Sequence, residues 1–432
     1  AFYQWGESLY RQRSYERSVS TFGQIVEKYK KSELRDSALD RISEIYGNWI
    51  KDYNRSSYYA NILVNDYPRS PLAADAYNRL AYAAYNTGKQ SQAVNYYKKV
   101  LSDFPTDKKN SQAALDNLAT LLPPAEFDRI LRDYRRNNPN TDANLPALIF
   151  NTGLDRFFAE NYESAISQFS TYIRDAKNGP HYYEALLYRA RSYKQIGDTR
   201  RSLTDYSEIY NAPVNNEFTY NALLEAGQLY FDLRDYQRSL EVYETLDRVA
   251  QNLQNKVQAK FGMADAFLAM KNYAQAKRTL QEISGNPEVA ESSRTRAKFM
   301  TGQAEYETGS LTAAFSIFQA IEREFNDEYA ARSQYMITRI YFDRGAFDDA
   351  YNAGVYMKNN YPSFNYWKAR TYLVVAEANY ELGEVFQAKG TLQSLVDQTR
   401  DRYPDIFEAA SKRLAEIEEE ERRNEASLNS GN

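Results

Sequence analysis

The sequence predicts an all-α fold, a right-handed solenoid of about eleven helical hairpins closed by a C-terminal helix. One observation is that the phrase TGKQSQAVNYYKKVLSDFP at 87–105 returns in similar form as GAFDDAYNAGVYMKNNYP at 345–362. A second is that a small residue recurs through the chain at intervals of 34 to 38 residues. A third is that apolar residues follow it at helical spacing. A fixed period in this range is typical of stacked supersecondary units.

The recurring small residue serves as a landmark for each repeat. Its positions are Ser18, Ser56, Ala93, Ala165, Ser202, Ser239, Ala276, Ala314, Ala350 and Ala388, with Phe127 in the same place of a degenerate copy. In most copies bulky apolar residues follow four and seven positions later, as Tyr243 and Leu246 do. Offsets of four and seven lie on one face of a helix, and turn-forming residues such as Gly88 and Gly345 precede that face. Each repeat is therefore predicted to be two helices joined by a tight turn.

The first helix of most repeats carries its own small residue, twelve positions before the landmark. These residues are Gly6, Ala81, Gly153, Ala190, Gly227, Ala264, Gly302 and Ala376. Small residues that face each other across a helix pair let the two axes approach closely, and enlarging one costs about 1–3 kcal/mol. Prolines 68, 105, 139 and 362 are expected to end repeats, because proline cannot continue a helix.

Residues 220–246, YNALLEAGQLYFDLRDYQRSLEVYETL, hold the pattern of the tetratricopeptide repeat (TPR) at Gly227, Tyr230, Ser239 and Tyr243. The chain resembles the TPR family over nearly its whole length. It departs from the family pattern in its longer period near 37, in serine often replacing alanine, and in lacking the initial tryptophan in most copies. The resemblance implies a non-catalytic scaffold for protein–protein interactions.

The phrases that close several repeats resemble those of long-period TPR proteins of the Gram-negative envelope, of the outer-membrane assembly lipoprotein type. They are DYPRSP at 66–71, SDFP at 102–105 and NNYPS at 359–363. The resemblance implies a periplasmic or outer-membrane-associated protein in an assembly or secretion complex. Since the chain opens AFYQWG without Met, we expect a processed product, with a lipid anchor or a further domain as candidates for what lies upstream of residue 1.

The fourth repeat is degenerate and leaves the domain organisation open. It carries Pro123 and Pro124 at its turn, and the polar stretch 137–144 follows it. It is either a shortened repeat in a continuous array or a bend between two arrays. We place an N-terminal array at 1–139, with its degenerate repeat near 110–139, and a C-terminal array at 140–399. Residues 400–432 are expected to form a capping helix and a charged, partly disordered tail, frayed after about 424.

The composition argues against nucleic-acid binding, membrane insertion, metal binding and catalysis. Lys plus Arg total 54 against 58 Asp plus Glu, with the signs interspersed, unlike the basic footprint of a nucleic-acid binder. There is no cysteine, and no apolar run approaches a membrane span. The single histidine, His181, is expected at the surface before a first helix, and no glycine-rich phosphate loop is present. We therefore expect no enzymatic activity, cofactor, metal, nucleic-acid partner or membrane span.

The function class that remains is protein recognition along the concave face of the solenoid. The first helices of such a stack line this face, so their exposed residues are the candidates for binding. The candidate partner-binding residues are Tyr10, Tyr82, Tyr85, Phe157, Arg191, Phe231, Tyr306, Tyr335, Arg339, Phe342 and Tyr380. Tyrosine and arginine are enriched where interface binding energy concentrates. The alternative for each aromatic residue is packing against its own partner helix or the next repeat.

The partner and its mode of binding are less determined. Some family members bind a C-terminal carboxylate through Lys and Asn residues at fixed positions of successive repeats. This chain lacks that combination, because the corresponding positions hold pairs such as Asn78 with Tyr82 and Leu187 with Arg191. An extended or folded protein partner along an aromatic groove fits better. A structural spacer and a glycan or peptidoglycan binder that uses stacked tyrosines remain as alternatives.

Overall fold

The computed structural model of the chain describes residues 1–138, 145–213 and 215–430, with side chains up to residue 424. Within these ranges the regular structure is entirely helical. The first helices of the repeats are α1 (Phe2–Arg11), α3 (Arg35–Glu44), α5 (Ala73–Asn86), α7 (Lys108–Leu121), α9 (Leu145–Phe158), α11 (Tyr182–Gln195), α13 (Thr219–Asp232), α15 (Leu253–Ala269), α17 (Glu291–Glu307), α19 (Glu328–Asp343) and α21 (Asn365–Glu381). A short π-helix, Ile45–Ile50, continues α3.

Each first helix is followed by a second helix, and one further helix ends the chain. The second helices are α2 (Tyr15–Lys28), α4 (Tyr53–Asp66), α6 (Gln90–Asp103), α8 (Pro124–Asn137), α10 (Tyr162–Asp175), α12 (Thr199–Tyr210), α14 (Tyr236–Val249), α16 (Tyr273–Ser284), α18 (Leu311–Glu324), α20 (Phe347–Asn360) and α22 (Val385–Thr399), with α23 (Pro404–Ser430) after them. The predicted fold class, stacked helical hairpins with a C-terminal helix, is confirmed for the described residues.

The chain forms two compact units, Ala1–Asp205 and Tyr206–Asn432. The boundary predicted at 139/140 falls outside the described residues, as does Pro139, and it stays a prediction. In the degenerate fourth repeat, Pro123 is the N-cap of α8 and Pro124 occupies its first turn, where proline is tolerated. Phe127 is fully buried at the landmark position, so this copy is still a hairpin.

The landmark residues are the centres of the hairpins: all eleven are at most 1 % exposed. The glycines of the first helices show why small residues are needed. A Cβ atom built on Gly6 would lie 2.7 Å from the Phe22 ring, and one on Gly302 would lie 2.8 Å from the Phe318 ring. Real Cβ atoms do not approach so closely, so the aromatic ring of the second helix occupies the space that a side chain would fill. The predicted close approach within each hairpin is confirmed at these positions.

At three of the four serine landmarks, Ser18, Ser56 and Ser239, the hydroxyl donates to a carbonyl of the first helix. Ser18 Oγ donates to the Gly6 carbonyl at 2.8 Å, and Ser239 Oγ donates to the Gly227 carbonyl at 2.9 Å. Buried hydroxyl groups need such acceptors. The hydrogen bond therefore joins the two helices at the point where their small residues meet.

The turns share one backbone geometry. In ten repeats, the residue five positions before the landmark has a positive φ angle. Five of these residues are glycines, Gly88, Gly197, Gly309, Gly345 and Gly383, and five are not, Arg13, Lys51, Glu160, Arg234 and Lys271. Glycine adopts this left-handed conformation without steric cost. Only half of these turns carry the glycine that signals them in the sequence.

Helix α23 covers the last hairpin. Ile406, Ala410 and Ile417 are buried in one cluster with Leu392 and Leu395 of α22. Arg413 Nε, on α23, lies 3.0 Å from both carboxylate oxygens of Glu377 on α21.

The backbone of α23 is helical to Ser430, although the sequence predicted fraying after about 424. Ion pairs of Glu419 with Arg422 and Arg423, at 2.9 and 3.1 Å, lie one turn apart along this end of the helix and favour it. Among the described residues, the helices include none with the length and apolar character of a membrane span.

Candidate functional site

Two adjoining cavities lie on the first helices of the second unit. One, of about 300 Å³, crosses α17, α19 and α21 and is lined by Phe299, Gln303, Tyr306, Glu307, Tyr335, Met336, Arg339, Trp367 and Arg370. The other, of about 420 Å³, crosses α15, α17 and α19 and is lined by Asp265, Leu268, Arg296, Phe299, Met300, Gln303, Tyr329 and Arg332. Phe299 and Gln303 line both, so the two cavities are neighbours. We call the two together the first-helix groove.

Three of the eleven predicted site residues, Tyr306, Tyr335 and Arg339, line this groove. Tyr306 donates its hydroxyl hydrogen to the Asp343 carboxylate, and Arg339 Nε lies 3.1 Å from Asp343 Oδ1. Burial, followed by the hydrogen bond to Asp343, raises the pKa of Tyr306 above its ordinary value. Tyr306 and Arg339 are thus held in place by one carboxylate on the neighbouring turn of α19.

Four other predicted residues pack against their own partner helix, as the alternative interpretation had it. Each sits eight positions before its landmark and meets the aromatic residue that begins the second helix. The ring pairs are Tyr10–Tyr15, Phe157–Tyr162, Phe231–Tyr236 and Phe342–Phe347, with centroids 5.2 to 6.0 Å apart. These rings hold the two helices together near the turn.

The remaining four are spread over both units. In the first unit, Tyr82 and Tyr85 are 37 % and 52 % exposed, and the Tyr82 ring meets Tyr53 at 5.9 Å. Arg191 lies over the ring of Tyr188 at 5.4 Å. In the second unit, Tyr380 donates to Glu420 and lies under Arg413 at 4.6 Å, so α23 covers it.

Sequence reasoning missed a row of three arginines, Arg296, Arg332 and Arg370, which we call the arginine ladder. Each lies eighteen positions before its landmark on three successive first helices. Each guanidinium lies over an aromatic ring of the preceding repeat. That ring is on the first helix of its repeat, fifteen positions before the landmark of the same repeat. The pairs are Arg296 over Phe261 at 4.0 Å, Arg332 over Phe299 at 4.5 Å and Arg370 over Tyr335 at 5.1 Å. Alignment of the repeats at this position would have shown the arginines.

Trp367 was also missed. Its ring centroid lies 5.1 Å from the guanidinium carbon of Arg332 and 5.8 Å from that of Arg370. Its Nε1 donates to Glu328 Oε1 at 3.1 Å, which fixes the plane of the ring. The only feature of the sequence that could have indicated Trp367 is that tryptophan is rare in this chain and this one lies on a first helix.

His181 lies just before a first helix, as the sequence predicted, and its side chain is 42 % exposed. It precedes α11 as its N-cap, and its ring stacks on Phe150 with centroids 4.3 Å apart. Its Nδ1 lies 2.9 Å from Glu184 Oε2. Among the side chains placed by the structure, no group of three His, Asp or Glu residues is arranged to hold a metal ion.

A larger cavity of the second unit lies elsewhere. It has a volume of about 1020 Å³ and is lined by α20, α21, α22 and the segment that follows, with Phe386 87 % exposed beside it. None of the eleven predicted residues lines it. Its charged lining residues are Lys358, Lys368, Arg400 and Arg402 against Asp397 and Asp401.

Two sequence-family models, each described as a tetratricopeptide repeat, match the chain. One matches residues 261–329, and the other matches residues 1–32 and 75–107. The chain contains tetratricopeptide repeats. The first of the TPR matches runs from α15 into α19, and so includes much of the first-helix groove. No curated protein sequence matches the chain significantly.

A comparison with solved structures finds matches of low similarity. A tetratricopeptide repeat protein from Parabacteroides merdae is 15 % identical over 62 % of this chain and 98 % of its own, with a TM-score of 0.43. The C-terminal part of a TPR repeat-containing protein from Cytophaga hutchinsonii is 15 % identical over 59 % and 98 %, with a TM-score of 0.37. Yeast Tom70 is 13 % identical over 98 % and 96 %, with a TM-score of 0.34. At these scores the likenesses carry no inference about partners.

Proposed function

We propose that this TPR protein is a non-catalytic scaffold that binds protein partners through the first-helix groove. The observation that carries the proposal is the convergence of Tyr306, Tyr335 and Trp367 with four arginines on successive first helices. Such side chains concentrate binding energy at interfaces. Because rigid helices hold them before the partner arrives, little conformational entropy is lost on binding.

The non-catalytic part of the proposal rests on the side chains in the groove. Its lining, as the structure describes it, consists of aromatic residues, methionine, leucine, glutamine, arginine and the two carboxylates Asp265 and Glu307. This lining offers no Ser, Thr, Cys, Lys or His, the side chains that supply most covalent nucleophiles. The groove is suited to contact, not to bond cleavage.

We place the protein in the bacterial periplasm or at the outer membrane, in an assembly or secretion complex. The support is the resemblance of DYPRSP, SDFP and NNYPS to repeat endings of envelope proteins, and a cysteine-free composition compatible with an oxidising compartment. Fractionation of the source bacterium, with an antibody to this chain, tests this part. We expect the signal in the periplasmic or outer-membrane fraction, and a purely cytosolic signal would contradict it.

Binding through the groove is tested with a photo-crosslinking amino acid placed at Tyr306 or Tyr335 in the full chain. The matched control is Tyr351, an exposed tyrosine on the second helix α20. We expect discrete crosslinked proteins from the groove positions that are absent at Tyr351. A purified partner should then bind at least tenfold more weakly to a Tyr306→Ala, Tyr335→Ala variant that melts as a folded protein.

Other outcomes separate the alternatives. Unchanged partner affinity in the double variant would remove the groove from binding and favour a structural spacer. Binding of a peptidoglycan fragment by isothermal titration, lost in the same variant, would favour the glycan-binding module.

A further inference from the structure

We infer that the partner segment in the first-helix groove is acidic, with carboxylates that pair with the arginine ladder. This inference rests on the proposed function and adds the chemistry of the partner. It depends on the way the arginines of this groove differ from the other charged groups of the first helices.

The groove has a surplus of positive charge. Four guanidinium groups line it, those of Arg296, Arg332, Arg339 and Arg370, against the carboxylates of Asp265 and Glu307. Arg339 forms an ion pair with Asp343, and Arg296 forms one with Asp265, in which Nη2 lies 3.6 Å from Oδ2. Among the described residues, no carboxylate lies within ion-pair distance of Arg332 or Arg370. Two full charges in the groove are therefore left without counter-ions.

Arg332 is the more telling of the two. Its Nε is buried and has no hydrogen-bond partner within the described part of the chain. Its guanidinium is surrounded by the rings of Phe299, Tyr329 and Trp367, at 4.5, 5.2 and 5.1 Å. Ring faces attract a cation but accept no strong hydrogen bond, and a buried unpaired donor is costly. The site is complete only when an acceptor with negative charge enters the groove.

The first unit provides an internal comparison. There a cavity of about 340 Å³ also crosses first helices, and its lining includes Arg41, Arg79 and Lys109. Each of these cations has a carboxylate of the same unit beside it: Arg41 with Glu7 and Glu44, Arg79 with Asp40, and Lys109 with Asp75. This cavity of the first unit thus has a carboxylate beside each of its cations, whereas the first-helix groove has two cations without one among the described residues.

The geometry favours an extended peptide. Arg332 and Arg370 flank the same indole ring, so their guanidinium carbons are no farther apart than the sum of their distances to it. Side chains on one face of an extended chain repeat roughly every 7 Å. Acidic residues two positions apart can therefore reach both guanidinium groups, and neighbouring residues can lie against Tyr335 and Trp367.

A protein segment fits this groove better than a nucleic acid. A phosphate chain needs positive charge along its whole track, whereas Asp265 and Glu307 interrupt this one. A segment with separated acidic residues meets the arginines and avoids the carboxylates. Single-stranded nucleic acid is accordingly a competitor in the test.

The test begins with selection of a displayed random 12-residue peptide library on the full chain, with counter-selection on Arg332→Gln. Selected peptides are synthesised with a fluorophore, and binding is measured by anisotropy. We expect pools enriched in Asp and Glu. Affinity should fall about tenfold in Arg332→Gln and in Arg370→Gln, and less in Arg332→Lys, which keeps the charge but loses the planar fork.

The matched control is Arg344→Gln. Arg344 also lies over an aromatic ring, Phe315 at 5.2 Å, but is outside the groove lining, so its substitution should leave affinity within twofold. Melting curves identify any variant that fails to fold, and Arg370→Gln then stands in for Arg332→Gln. A 12-residue oligothymidine that displaces the peptides, and binds more tightly than they do, would overturn the inference in favour of nucleic acid.

The remaining outcomes are distinct. Pools without acidic enrichment that lose binding in Tyr306→Ala, Tyr335→Ala would overturn the acidic chemistry and leave the proposed function standing. Acidic peptides that ignore both arginine substitutions would overturn the role of the ladder. If no selected pool depends on any groove residue, both the inference and the proposed function fail.

Discussion

Tyr243 is clamped between two glycines, and this predicts the effect of enlarging either one. A Cβ on Gly227 of α13 would lie 2.8 Å from the Tyr243 ring, and a Cβ on Gly262 of α15 would lie 2.5 Å from it. Favourable carbon contacts need about 3.5–4.0 Å. Because glycine backbones flank the ring on both sides, it cannot retreat from one without meeting the other.

The magnitude for Gly227→Ala follows from two opposing effects. Overpacking costs about 1–3 kcal/mol, whereas alanine is favoured over glycine inside a helix by about 1 kcal/mol. We expect a net loss of about 1 kcal/mol in unfolding free energy for Gly227→Ala, and about 3 kcal/mol for Gly227→Leu, whose longer side chain cannot be placed between the helices.

Urea denaturation followed by circular dichroism measures the loss, and hydrogen exchange with mass spectrometry locates it. Exchange should rise first in α13 to α16, since stacked repeats are coupled through their nearest neighbours. The matched control is Gly390→Ala in α22, where a Cβ meets no atom within 4 Å and stability should rise by about 0.5–1 kcal/mol. Unchanged stability and exchange in Gly227→Leu would refute the idea that undersized residues hold the hairpins together.

Three further predictions concern the turns, the buried tyrosines and the last helix. Lys271 has φ of 58°, so Lys271→Gly should relieve about 1 kcal/mol of backbone strain and raise the melting temperature; a lower one would show that its side chain stabilises the turn. Burial raises the pKa of Tyr243 to about 12, so the unfolding free energy should be steady below about pH 10 and fall between pH 10 and 12, as unfolded chains ionise first. Denaturant titrations from pH 8 to 11 check this, and the fall should be shallower in Tyr243→Phe. A chain truncated after Tyr403 loses α23 and exposes Leu392 and Leu395, so its binding of a hydrophobic dye should rise and its solubility should fall; equal solubility would contradict the capping role.

The hairpins could be predicted because each depends on residues close together in the chain. The landmark and the small residue twelve positions before it meet across one turn, as Ser239 and Gly227 do. Such local contacts recur with the same spacing in most copies, so the period in the sequence is enough to show them. The turns were less visible, because residues such as Arg13 and Glu160 adopt the conformation that glycine adopts elsewhere.

The groove was predicted only in part, because side-chain direction depends on the neighbouring repeat. Tyr306 and Phe342 hold the same position in their repeats, yet the phenol of Tyr306 reaches across to Asp343 in the groove whereas Phe342 packs on Phe347 of its own hairpin. From the sequence alone, Tyr306 and Phe342 are equivalent: both are aromatic, and both are predicted to lie on the concave face.

By itself, the sequence determined the number of hairpins, their close packing and their capping helix, since these follow from small residues at a fixed period. Only the tertiary structure decided which aromatic residues remain open and which arginines lack a counter-ion. Stacking one first helix on the next places Arg332 over Phe299 and beside Trp367. The recurrence of the arginines is visible in the sequence, but whether a carboxylate lies beside each one depends on contacts between repeats.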